Sequence, residues 1–142
     1  MYLLFFFPLQ YLRILQFGEK KVLPQVVPFN FGEEEVNLDD SVMASCSIIK
    51  GDLPVTIWWQ FTETDESMAF NLTTNDGVVI TKPSRKISIL AIDAVKARHR
   101  GNYTCFSQNK GGASQFSTYL AVNGLKSDYF LRFTQNYAIC VR

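Results

Sequence analysis

Between residues 22 and 123, short apolar segments alternate with polar positions and are cut by turn residues at near-regular intervals, the pattern of an all-β chain. Val22-Leu23-Pro24 opens an edge strand, where a residue without an N–H forfeits no ladder bond, and residues 29–38 carry it past Gly32. Over residues 41–49, Val42, Ala44, Cys46 and Ile48 share one face, while Met43, Ser45, Ser47 and Ile49 share the other. The turn Gly51-Asp52-Leu53-Pro54 leads into a strand over residues 55–61, with Val55, Ile57 and Trp59 in phase and Trp58 opposed. Residues 62–75 read as a polar connection between sheets, closed by Asn75-Asp76-Gly77. Two short strands follow, residues 78–82 and 86–92, joined by a turn at Pro83-Ser84. A helical turn suits residues 95–98, and Gly111-Gly112 reads as a hairpin between residues 103–108 and 114–122.

Upon this pattern sits a tighter one. Cys46 lies on one apolar strand, Trp59 follows 13 positions later, and Tyr103-Thr104-Cys105 closes the set 59 positions after the first cysteine. That is the skeleton of an immunoglobulin-like β-sandwich: two antiparallel sheets joined by one inter-sheet disulfide, here Cys46 to Cys105. In that frame Trp59 is the core indole over the disulfide, and Tyr103 is the corner tyrosine whose hydroxyl bonds nearby backbone. Closing so long a loop removes unfolded-state entropy worth about 4 kcal/mol on the chain-entropy model. The bond forms where thiols oxidise, which places the domain outside the cytosol; a reduced pair in a muscle-type domain is the alternative.

Length and charge then narrow the function. The chain has 142 residues, room for one domain, expected over residues 22–123. Residues 1–21 are a signal-like or non-domain segment, and residues 124–142 are a tail that holds the unmatched Cys140. A net charge of +1, from 14 basic and 13 acidic residues, gives no reason to expect nucleic acid. Neither end offers a comfortable membrane span, so membrane attachment is expected only through an anchor absent from this chain. The single histidine, His99, has no nucleophile frame around it, too few nitrogen and sulfur ligands remain for zinc, and no enzyme or cofactor is expected. Glu33-Glu34-Glu35 with Asp39-Asp40 lacks the interleaved ligands of a calcium loop and reads as a solvated turn. The sequons Asn71-Leu72-Thr73 and Asn102-Tyr103-Thr104 mark candidate N-glycosylation at Asn71, in a polar connection, and at Asn102, out of phase with the core.

The outward residues of three adjoining strands suggest a contact surface. Met43, Ile49, Val79, Ile87 and Ile89 would form an exposed apolar patch, with Ser45, Ser47 and Thr81 among them. The alternative is a set of ordinary exposed aliphatics, or a surface covered by neighbouring domains.

Several segments together resemble one family. Val26-Val27-Pro28-Phe29-Asn30-Phe31-Gly32-Glu33-Glu34, Gly51-Asp52-Leu53-Pro54 and Ile89-Leu90-Ala91-Ile92-Asp93-Ala94-Val95 are three of its marks. His99-Arg100-Gly101-Asn102-Tyr103-Thr104-Cys105 and Asn109-Lys110-Gly111-Gly112 complete them. Over residues 22–122 the chain is similar to the immunoglobulin domains of arthropod-type Down syndrome cell adhesion molecule (Dscam), above all its variable modules. The resemblance implies an I-set-like, extracellular module that binds another copy of itself on an opposing molecule. It further implies a contact through the sheet that carries Met43, Val79, Ile87 and Ile89. His99 stands where many immunoglobulin domains have aspartate, which removes that residue's usual arginine partner. The competing expectations are an immune-type receptor domain that binds a foreign or heterophilic ligand through residues 51–54 and 109–113, or a structural spacer.

Overall fold

The computed structural model describes residues 20–32, 36–64, 68–74 and 77–124. Glu33-Glu34-Glu35, Asn75-Asp76, most of the N-terminal segment and the tail with Cys140 lie outside the described residues. Two four-stranded antiparallel sheets face one another. The first has the order β1 (Gln25–Val26), β3 (Val42–Lys50), β7 (Ile87–Ile92), β6 (Val78–Ser84). The second runs β5 (Phe70–Asn71), β4 (Thr56–Glu63), β8 (Gly101–Asn109), β9 (Gly112–Leu120). A short parallel pair, β2 (Val36–Asn37) with β10 (Val122–Asn123), is an addition to the two expected sheets. The first strand ends at Val26 instead of continuing past Gly32 along β3, and the next paired segment, β2, lies beside β10.

Strict alternation builds the core. The inward residues of β3 and β7, Ala44, Cys46, Leu90 and Ile92, are buried against Ile57, Trp59, Phe61, Tyr103 and Cys105 of β4 and β8. Cys46 and Cys105 are joined by a disulfide across the sheets, with Cα atoms 6.3 Å apart. The Trp59 indole donates to Ser88 Oγ at 3.0 Å, which gives a buried hydroxyl its partner and fixes the ring. Phe29 meets Trp59 edge to face at 5.1 Å, and Phe31 meets Tyr103 at 4.9 Å, so the Val26-to-Gly32 motif roofs the aromatic core. On the opposite edge, Lys82 Nζ of β6 donates to the Ile57 carbonyl of β4 at 2.9 Å.

The corner ahead of β8 is equally determined. The Tyr103 hydroxyl donates to the His99 carbonyl at 2.8 Å, and burial pushes its pKa well above the ordinary tyrosine value. His99 ends a 3₁₀ turn, Ala97–His99, which starts two residues later and ends one residue later than expected, and its Nδ1 accepts the Lys96 N–H at 3.0 Å. Gly101 is obligatory here, because a Cβ would press on the Thr62 carbonyl oxygen and lie 2.7 Å from the Phe61 ring. The expected hairpin forms with its turn at Lys110-Gly111, one residue earlier than expected, and Gly112, paired with Asn109 at the start of β9, takes a positive φ of +142°.

Two connections differ from expectation. The turn between β6 and β7 lies at Arg85-Lys86, and Pro83 sits within β6, an edge strand where its missing N–H leaves no partner unpaired. The stretch over residues 62–75 is only partly a connection. Thr62 and Glu63 extend β4, and Phe70–Asn71 pairs with Phe61 and Gln60 as an edge strand.

Candidate functional site

The outer face of the first sheet is assembled in three cross-strand rows. Across β3, β7 and β6 the rows run Met43–Ala91–Val79, Ser45–Ile89–Thr81 and Ser47–Ile87–Ser84. Register of this kind brings side chains within about 5 Å on one surface. All eight residues selected from the sequence therefore fall on this face, with Ile49 at the end of β3. Met43 and Ile49 are each 60% exposed and Val79 is 40% exposed. Ile87 and Ile89 are half-buried rather than open, because β7 is a central strand flanked by β3 and β6. Ala91, between Met43 and Val79, was missed from the sequence although it shares the parity of Ile87 and Ile89. Val27, half-buried next to inward Val26, borders the patch where its N–H donates to the Ser47 carbonyl at 2.9 Å.

No charged side chain belongs to these rows. Serines and a threonine on β3 and β6 flank Ile89 and Ile87 of β7, which suits a flat, desolvated contact and offers little to a small charged ligand. Among the described residues no group of three or more histidines, cysteines or acids is placed to hold a metal. Among them, too, no helix is long and apolar enough to cross a membrane.

Elsewhere, the loops at one end are laced together. Asn109 Nδ2 donates to the carbonyls of Val22, at 2.8 Å, and Asp52, at 3.0 Å, while the Val22 N–H donates to Asp52 Oδ2 at 2.8 Å. At the other end Lys96 pairs with Asp39. Asn102 is exposed on β8 as expected, and Asn71 is exposed on β5, not in a loop.

Comparison with known proteins bears on this arrangement. A family model described as immunoglobulin domain matches residues 24–109. The chain belongs to the immunoglobulin domain family. Within that family it is 36% identical over 102 residues to the cell adhesion molecule Dscam1 of Drosophila melanogaster, covering 72% of this chain. It is 31% identical over 102 residues to human cell adhesion molecule DSCAM. The chain spans about 5% of the length of each of these relatives. The crystal structure of the Dscam1 Ig7 domain, isoform 5, superposes with a TM-score of 0.62 at 37% identity, covering 72% of this chain and 98% of that one. The immunoglobulin domain is thus Dscam-like in sequence and in fold.

Proposed function

We propose that this immunoglobulin domain acts at the cell surface by binding another copy of itself through the outer face of the β1-β3-β7-β6 sheet. The observation that carries the reading is the set of three rows, in which Met43, Ala91 and Val79 form one row and Ile89 and Ile87 each lie between two small hydroxyl residues. A two-fold contact needs just one self-complementary patch, and a flat sheet face packed on its own copy fulfils that condition. Similarity to Dscam cell adhesion molecules supports the same assignment. The disulfide supports an oxidising, extracellular setting. A patch of this size binds weakly alone and gains avidity from tandem domains.

Analytical ultracentrifugation of the full chain provides the test. Self-association is expected at high concentration and is lost in Ile87→Asp. A chain that stays monomeric to millimolar concentration, or an Ile87→Asp variant that associates unchanged, would overturn the assignment.

A further inference from the structure

The outer face of the second sheet is built on different chemistry. Trp58 and Phe106 are direct cross-strand partners, and their rings stack 8° from parallel with centroids 5.3 Å apart. Both are half-buried, on the side of the sheet away from Trp59 and Cys105. Two residues along β4, on the same side, Gln60 lies opposite Asn71 of edge strand β5. Gln60 Nε2 donates to Asn71 Oδ1 at 3.0 Å, which turns Asn71 Nδ2 away from Gln60. Asn71 is exposed and begins the sequon Asn71-Leu72-Thr73. An acceptor asparagine therefore stands one row, about 7 Å along the strand, from a stacked aromatic pair.

We infer that Asn71 carries an N-linked glycan whose innermost N-acetylglucosamine lies over the Trp58–Phe106 pair. The inference rests on the secretory placement proposed above. In the modification, Asn71 Nδ2 bonds to C1 of a lipid-diphosphate-linked oligosaccharide. The bond from C1 to the phosphate oxygen breaks, the lipid diphosphate leaves with the electron pair, and one amide proton passes to a base of the transferring enzyme. Oδ1 remains an acceptor in the product, so the bond from Gln60 persists and orients the first sugar. One face of a pyranose presents C–H groups, which the electron-rich face of an aromatic ring attracts. Asn102, the other sequon asparagine, shares this outer face but pairs with Thr62 and Tyr119. That places it about 13 Å along the strand from the aromatic pair, beyond the reach of its first sugar. Both acceptors thus lie on the sheet opposite the apolar rows, so glycans shield one face and leave the other bare.

The experiment is to secrete the full chain from insect cells, map both sequons by glycopeptide mass spectrometry, and measure iodide quenching of tryptophan. A glycosidase that leaves one sugar on each asparagine should not alter quenching. Asn71→Gln should increase it and shift emission to the red, and Asn102→Gln should do neither. Modified Asn102 with unmodified Asn71 would overturn the inference, since the material has passed the transferase. Equal quenching of occupied Asn71 and Asn71→Gln would also overturn it. Neither readout depends on self-association, so failure of the homophilic contact is scored separately.

Discussion

Within β7 the two faces of one strand are asked for different things. Ser88, Leu90 and Ile92 point into the sandwich and are fully buried, whereas Ile87, Ile89 and Ala91, each one residue away, are half-buried on the outside. The inner set is held by the disulfide layer and by the bond from the Trp59 indole to Ser88. The outer set touches its cross-strand neighbours and otherwise faces outward. Because the side-chain period is two, fold and surface are written in alternate letters, and the outer letters can change with little effect on the inner ones.

The largest expected effect tests the inner letters. Leu90→Ala should lower unfolding free energy by about 3 kcal/mol in urea denaturation, the usual range for truncating a fully buried leucine. Association should then fall only in proportion to the folded fraction. A loss below about 1 kcal/mol would mean that the inner face is not the tightly filled one.

Next is the bond between the sheets. Trp59→Phe removes the indole donor to the Ser88 hydroxyl, which is completely buried, and should cost about 2 kcal/mol for the stranded group together with the lost ring volume. Ser88→Ala in the Trp59→Phe background should then cost less than Ser88→Ala alone, and a double-mutant cycle in urea measures the difference. Additive effects would show that the two side chains are uncoupled.

The corner tyrosine gives a smaller effect with a definite pH signature. Tyr103→Phe should cost about 1 kcal/mol near neutrality, because the His99 carbonyl loses its donor. Burial favours the neutral phenol, so the folded-state pKa lies above the unfolded one. Its contribution is complete below the ordinary tyrosine pKa of about 10 and is lost as pH rises beyond it, when the unfolded chain ionises first. Wild type should therefore lose stability above that pH more steeply than Tyr103→Phe, as read by thermal melts.

How far these features can be read from the chain follows the same division between local and non-local. Alternation over residues 42–48, the Cys46–Trp59–Cys105 frame and the Tyr103 corner are legible because each rests on period or fixed spacing. The β5 strand is not, since two residues carry no period and Phe70–Asn71 is a strand only by virtue of pairing with β4. Pro83 marks a turn in isolation, yet the edge position of β6 removes the penalty that would have made it one. Half-burial of Ile87 and Ile89 depends on β7 being central, which is a property of sheet order. Ser88 looks like any strand serine until the Trp59 indole arrives from the other sheet.

The smallest effect on stability sharpens the comparison most. Met43 is 60% exposed and borders Ala91 on the outer face, so Met43→Asp should change unfolding free energy by no more than about 0.5 kcal/mol. In a two-fold contact the substitution enters twice, once from each copy, and each carboxylate must lose water against an aliphatic surface. Self-association should therefore fall sharply while the melting curve stays in place. The opposite pairing of results, a destabilised domain that still associates, would show that Met43 serves the fold and that the inner and outer letters of this sheet are not separate.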